Sequence, residues 1–461
     1  MRGYNKWSYA PYKPFLTEIG DIYICRIVPY RDKVHFEWLD ISAEKYTVYF
    51  KKRVEEQFIF AGNTSKCEFT IENLNENEDY EFFVESREKR SRIRIVRCGE
   101  PIGTVVNYLH PDDDAYSFSG KYLCSPSLIK HPDGYLLASM DLFAGNYPQN
   151  LTIIYRSDDN GRTWSYVSEL MPCFWGKLFV HKGDIYMLSC STEYGDLLIG
   201  KSEDGGKTFS SPVVLMRGSN GKHGTSGIHK NPQNIFRFGG RIYETLEWGT
   251  WDDNGYGFAA MVMSCSENDD LLVPENWIFS EPKVLNYNKN GYISEADGVE
   301  KTIEGTLTTD KNGNLVNVMR CLNEKMSAVV YKVNTEYPEK PLEYLKLIKF
   351  PAHMAKFMIK YDEVSKKYYT IADRMYDKLL PQARNLLSLM ISDNLNDWEV
   401  LCDLIDRRDK DAHDVGFQYV DFEFDGDDII FLCRTAMNGA HDYHDANYST
   451  FHRIKNFRDL K

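Results

Sequence analysis

Residues Arg156–Trp164 read RSDDNGRTW. The segment has neither the 3.6-residue apolar period of a helix nor the strict alternation of a plain strand. Yet Ser157, Asp159, Gly161, Thr163 and Trp164 are placed too regularly for an arbitrary loop. The same residue types return 45 residues later as Ser202, Asp204, Gly206, Thr208 and Phe209, and in weaker form in SDNLNDW, residues Ser392–Trp398. In a turn of this composition the Asp accepts backbone N–H groups, the glycine takes positive φ, and the aromatic ring packs beside the turn. The motif reads as a structural lock, not as catalytic machinery. Its recurrence at a fixed spacing predicts a repeat architecture.

Around these turns a hairpin recurs six times: CSPSLIKHPDGYLLASMD, FWGKLFVHKGDIYMLSC, NPQNIFRFGGRIYETLEW, IEGTLTTDKNGNLVNVMR, AKFMIKYDEVSKKYYTIADR and GFQYVDFEFDGDDIIFLCR. The turns are short and polar, five of them with glycine, as hairpins require. Most hairpins are followed by a second strand pair, such as LTIIYRSDDNGRTWSYV and LLIGKSEDGGKTFSSPVVL. Four strands per unit in six units predict an all-β, six-bladed β-propeller spanning residues 100–461. Only one clear strand, in NYSTFHRIKNFRDL, follows the sixth hairpin. The segment GTVVNYL, residues 103–109, is therefore expected to complete the sixth blade and close the ring.

Residues 1–99 have a different texture, with seven short alternating segments separated by polar turns. Trp38 sits in an early strand, and Leu74 precedes Tyr80 by six residues in LNENEDYEFFV, the spacing of a tyrosine corner. This region resembles a fibronectin type III β-sandwich, read as a spacer or packing partner for the propeller.

The formal charge of −13 and the isoelectric point near 5.4 disfavour nucleic acid and anionic membrane as partners, because phosphate-rich surfaces are bound by clustered Lys and Arg. An aromatic content of 14% suits both strands and sugar-stacking sites. The N-terminal MRGYNKWSYAPYKPF lacks the apolar core of a signal peptide, so a cytoplasmic location is expected. Ten cysteines lie singly in apolar runs without CxxC spacing, which predicts buried, reduced thiols.

The repeated Ser-x-Asp-x-Gly-x-Thr-Trp turns resemble the Asp-box (BNR) repeats of the sialidase superfamily of propellers. In that superfamily the ligand site lies on the face opposite those turns, where the first strand of each blade begins and the second ends. First-strand starts nominate Ser125, Trp175, His229, Glu304, Lys356 and Gln418 with Tyr419. Second-strand ends nominate Asp141, Glu193 or Asp196, Glu247, Arg320, Arg374 and Arg434. The resemblance aligns YLCSPSL on Pro126, implies Asp141 of SMD as the acid/base, and puts Cys124 where the family carries the first clamp arginine. It further implies Glu304 and Arg320 as a blade-four pair, Tyr419 as the nucleophile, and Arg374 or Arg384 as another clamp arginine; Arg434 has no assigned counterpart. Without the first arginine, a uronic, neutral or sulfated sugar fits as well as sialic acid.

A Tyr nucleophile needs an adjacent base, a leaving sugar oxygen needs an acid, and arginines hold an anionic substrate. The expected function is an exo-acting glycoside hydrolase on a small, acidic oligosaccharide, without metal or cofactor. Catalysis would rest on Asp141, Glu304, Tyr419 and His229, and substrate binding on Arg320, Arg374, Arg434, Trp175, Glu247, His353 and Gln418. Two alternatives stay open: a lyase on uronate-containing polysaccharides using His229 with Tyr419, and a non-catalytic glycan-binding propeller. Trp175 and Trp248 can stack on sugars or pack between blades. The histidines of HDYHD, His441 and His444, lie in one loop with no distant third donor, so no metal is expected there.

Overall fold

A computed structural model describes residues 6–7, 21–251, 258–283, 302–321, 326–352 and 354–460. It is built from strands and a few 3-10 turns, and the chain forms a six-bladed β-propeller. Blade one comprises Tyr122–Lys130, Leu136–Phe143, Thr152–Ser157 and Ser165–Leu170. Blades two, four and five repeat this meander over residues 174–216, 302–349 and 359–406. In blade three the first strand is split into Gly227–His229 and Phe236–Phe238, both paired with Arg241–Gly249. Pro232, which has no N–H to donate, lies in the gap. Blade six takes three strands from the C-terminal end and its outer strand, Thr104–Tyr108, from before blade one. The ring is closed by this pairing, as the sequence predicts.

Burial follows position in the blade. The second strand Leu136–Phe143 is buried along nearly its whole length because blades cover it on both faces, whereas the outer strand Glu343–Lys349 is mostly exposed. That is why the inner strands read as continuous apolar runs.

The two intact repeated turns adopt the same hydrogen-bond set. The Thr163 N–H and hydroxyl donate to Asp159 at 2.9 and 2.7 Å, and the Gly161 N–H donates to Ser157 Oγ at 2.8 Å. The corresponding distances around Asp204 and Ser202 are 2.9, 2.6 and 2.9 Å. Gly161, at φ +86°, lies so close to the Phe451 ring that a β-carbon would overlap it, which brings blade one tightly onto blade six. In the weaker third copy Asn394 replaces the Asp and accepts the Asn396 and Asp397 N–H groups at 2.9 Å.

Residues 24–97 form two sheets. One pairs Ile24–Pro29, Val34–Trp38 and Glu68–Ile71; the other is built on Tyr46–Lys52 and Asp79–Ser86. Phe36 and Phe82, with centroids 4.3 Å apart, join them, and the Asn75 N–H donates to the Tyr80 hydroxyl at 2.8 Å. The apolar cluster between these sheets continues into Val105, Tyr108, Met437 and Tyr448 of blade six. The buried Arg94 pairs with Asp113 at 2.7 Å, Arg26 donates to the Val105 and Val106 carbonyls, and Tyr155 of blade one donates to the Cys25 carbonyl at 2.8 Å. The two regions thus share core and hydrogen bonds. Trp7 is fully buried between blades one and two, its indole donating to the Pro172 carbonyl at 2.8 Å. Eight of the ten cysteines are buried, and Cys67 and Cys402 are half-buried. Among the described residues no helix is long and apolar enough to cross a membrane.

Candidate active site

At the end of the blades opposite the repeated turns, the first strands share a feature with no signature in the sequence. Ser125, Trp175, Glu304 and Tyr419 have φ of 48°, 52°, 56° and 54°, and each sits where strand register shifts against the second strand. These are β-bulges with a non-glycine residue in the left-handed region, which costs about 1–2 kcal/mol per residue. The bulge breaks the strand alternation and re-aims the side chain. It explains why Gln418 and Tyr419, adjacent in sequence, do different things.

Tyr419 donates its hydroxyl hydrogen to Glu304 Oε1 at 2.8 Å, and Arg320 donates to Glu304 Oε2 at 2.5 Å. Burial alone would raise the Glu304 carboxyl, but Arg320, His229 and the Tyr419 hydrogen bond outweigh it and hold Glu304 below its ordinary value. Tyr419 is pushed up to about 12 by burial and by Glu304. The phenol is therefore protonated, with an ionised base already hydrogen-bonded to it. Arg434 lies 5.2 Å from the Tyr419 ring centroid and 5.4 Å from that of Phe143, anchored by donating to the His444 carbonyl. The Nε atoms of both Arg320 and Arg434 make no hydrogen bond among the described residues.

Asp141 pairs in register with Cys124 and is fully buried. It accepts from Thr152 Oγ1 at 2.5 Å and from the Gly176 N–H at 3.3 Å. Burial pushes its carboxyl up to about 7, despite these hydrogen bonds and those of Ser125 and Trp175. A carboxyl held there carries a proton at neutral pH and can give it away. The Cys124 thiol is raised by burial and Asp141, and lowered in smaller measure by Arg434, so Asp141 and Arg434 bear on the same spot.

His229 completes the cluster. Its Nδ1 is 2.7 Å from Glu247 Oε2, and the other Glu247 oxygen accepts the Gly305 N–H at 3.1 Å. Glu247 is fully buried. It orients His229 and braces the Glu304 bulge, rather than contacting substrate as the sequence position suggests. The His229 ring packs against Trp175 and Phe258, centroids 4.4 and 4.7 Å away. Trp175 thus touches His229 with its ring and Asp141 with its backbone N–H.

Several expected positions need correction. Arg374, just past the second strand of blade five, forms an ion pair with Asp403 of the outer strand at 2.8 Å. The preceding residue, Asp373, is the buried one, raised well above a normal carboxyl by burial and opposed by Arg384 and Arg320. Arg384, donating to the Met354 carbonyl at 2.7 Å, is the blade-five arginine whose charge reaches Tyr419 and Arg320. Gln418 donates to the Tyr443 carbonyl at 2.7 Å and so holds a loop instead of facing substrate. Trp248 packs into the apolar cluster between blades two and three. His353 lies outside the described residues. In the HDYHD loop His441, Asp442 and Asp445 each bring one ligand atom within 4.8 Å of the others. Asp445 is already 2.9 Å from His444, and His441 stacks on Tyr122.

No protein-family model and no curated protein matches the chain. Solved structures are similar to it. An α-L-arabinanase of Penicillium chrysogenum is 15% identical, with TM-score 0.50 over 78% of this chain and 99% of its own. The Hadza microbial sialidase is 13% identical, with TM-score 0.52 over 96% and 97%. An α-L-arabinofuranosidase of Fusarium graminearum is 12% identical, with TM-score 0.51 over 78% and 99%. At these identities the likeness shows the fold.

Proposed function

We propose that the protein is a glycoside hydrolase that removes an acidic sugar from a small oligosaccharide. The observation that carries this reading is the relay Tyr419–Glu304–Arg320, in a cluster that also holds Asp141, a buried carboxyl still protonated near neutral pH. In the first step the Asp141 carboxyl gives its proton to the leaving oxygen as the glycosidic bond breaks. The Tyr419 oxygen bonds to the anomeric carbon and its proton passes to Glu304. In the second step water attacks the same carbon and gives a proton to Asp141. Tyr419 departs and takes its proton back from Glu304. Arg320, Arg384 and Arg434 present guanidinium donors suited to a carboxylate or sulfate on the sugar. The N-terminal region we read as a fibronectin type III-like support that braces blades one and six.

The test is release of chromophore from aryl glycosides of sialic, glucuronic and galacturonic acid, with neutral rhamnosides and fucosides as controls. Turnover of an acidic member, lost in both Asp141→Asn and Tyr419→Phe, is the expected result. Full activity in both variants would rule the assignment out.

The buried His229–Glu247 pair supports a second reading, elimination on a uronate polymer. There the His229 Nε2 takes the proton beside the uronate carboxylate, and Tyr419 gives its proton to the leaving oxygen. An unsaturated product with ultraviolet absorbance, lost in His229→Ala, would select this chemistry over hydrolysis.

A further inference from the structure

Among the described residues, Lys356 is a buried lysine near the relay without an ion-pair partner. It lies three residues before the inner strand of blade five, Ile359–Asp362, and is 1% exposed. Its Nζ lies 5.9 Å from the Tyr419 ring centroid and donates to the Pro232 carbonyl at 3.2 Å. The other lysines of the central channel differ. Lys177 is bound to Asp421, and Lys360 lies 2.6 Å from Glu423. A buried ammonium without a carboxylate partner is unfavourable for folding, so such groups gather where chemistry uses them.

We propose that Lys356 is a positioning residue for the nucleophile: its ammonium, set against the Tyr419 ring, supports negative charge on the phenol oxygen as its proton passes to Glu304 and the bond to the sugar forms. This rests on the hydrolase reading. Arg320, at 2.5 Å from Glu304, favours charge on the carboxylate and so keeps the base ionised. Lys356 and Arg434 lie on the ring side of Tyr419, and Arg320 bears on the phenol as well as on Glu304. Once the proton moves to Glu304 that carboxyl is neutral, and these cations face the charge left on the phenol oxygen.

Of the ring-side cations only Lys356 titrates in the working range. Burial brings it down to about 8, against the opposing pull of Asp421 and Glu304. Lys177 adds to the lowering, and Glu244 opposes it. Glu244, 3.8 Å from Lys230, is itself pushed up to about 8 by burial, and among the described residues neither of its carboxylate oxygens accepts a hydrogen bond, so near pH 7 it is mostly neutral and offers Lys356 no fixed counter-charge. Lys356 is charged below pH 8 and neutral above. The nucleophile is supported on the acid side of that point and loses support on the alkaline side.

The experiment uses a substrate with a leaving group that needs no protonation, a glycosyl fluoride or dinitrophenyl glycoside, so that the first step does not need the Asp141 proton; in the second step Asp141 accepts a proton, and above pH about 8 it is ionised and able to do so. The wild type should lose kcat above pH about 8. Lys356→Arg, which keeps its charge, should keep most of the activity and stay level through that range. Lys356→Met should lose about 10- to 100-fold in kcat with KM nearly unchanged. An alkaline fall that persists in Lys356→Arg, or a Lys356→Met variant altered in KM alone, would overturn the proposal. A second readout does not depend on turnover. With 13C-labelled tyrosine and Tyr419→Phe for assignment, the Tyr419 Cζ resonance should step near pH 8 in the wild type and not in Lys356→Met. Absence of the step in the wild type defeats the proposal. A step in a protein that cleaves no glycoside leaves the charge coupling standing and defeats the hydrolase reading instead.

Discussion

The two ends of each blade solve opposite problems. At the repeated turns the positive φ angles fall on Gly161, Gly205 and Gly206 and on Asn160, a residue type that tolerates the left-handed region, and the side chains of Ser157 and Asp159 are hydrogen-bonded. At the other end Ser125, Trp175, Glu304 and Tyr419 take positive φ with side chains in place, and buried carboxyls sit far from their ordinary ionisation. The pH behaviour is opposite too. Burial would raise Asp159, but hydrogen bonds from Thr163 and Ser157 outweigh it and bring the carboxyl to about 2, so its contribution to stability is present above pH about 4 and lost as pH falls toward 2. Asp141, raised to about 7, keeps a proton that the unfolded chain releases near pH 4, so its contribution is complete below pH 4 and is lost as pH rises to 7. One end is built for stability and the other holds reactive groups at a cost in stability.

The largest effect that would break this contrast is catalytic. Tyr419→Phe should reduce kcat about 1,000-fold or more while thermal unfolding stays close to wild type, since the ring and its packing remain. Next comes the arginine pair of blade five. Arg384→Ala should lower kcat/KM about 10- to 100-fold by removing a cation from the site. Arg374→Ala should be near neutral, because its half-exposed ion pair with Asp403 contributes about 0–1 kcal/mol. Comparable losses from both would mean that the strand register misplaces the clamp. Away from the site, Asp113→Ala should leave Arg94 buried and unpaired and lower stability by about 3–5 kcal/mol in denaturant unfolding, with kcat unchanged. A smaller loss of stability is expected for Asp159→Ala, about 1 kcal/mol, again without a change in kcat.

Much of this is legible in the sequence, for identifiable reasons. The turns of Ser157–Trp164 and Ser202–Phe209 rely on local chemistry, so residue type reveals them. Ring closure by Thr104–Tyr108 follows from counting strands. Asp141, Glu304, Arg320 and Tyr419 lie where strand-end position puts them. What escapes depends on register and on non-local contacts. A strand alternates sides every residue, so one step separates Arg374, which faces Asp403, from the buried Asp373; the sequence leaves Arg374 and Arg384 both open for the clamp, and only their contacts tell them apart. The bulges at Trp175, Glu304 and Tyr419 put a residue other than glycine at positive φ, and the glycines that follow the first two, Gly176 and Gly305, do not tell which residue turns. Glu247 and Gln418 sit at site positions, yet one orients His229 and the other holds the loop at Tyr443, and only the positions of these partners reveal those roles. Trp7 belongs to no repeat, and its place between blades one and two is fixed by tertiary packing alone.

The most direct test of the contrast is a single comparison, Asp141→Asn against wild type, followed by thermal unfolding between pH 4 and 8 with glycoside turnover measured in parallel. The variant cannot titrate at this position. Its melting temperature should gain on the wild type by about 3 °C or more between pH 4 and 7 and then hold that lead, while turnover is abolished. A melting difference that is the same at pH 4 and pH 8, or turnover that survives the substitution, would contradict the assignment of Asp141 as a buried acid kept protonated for catalysis.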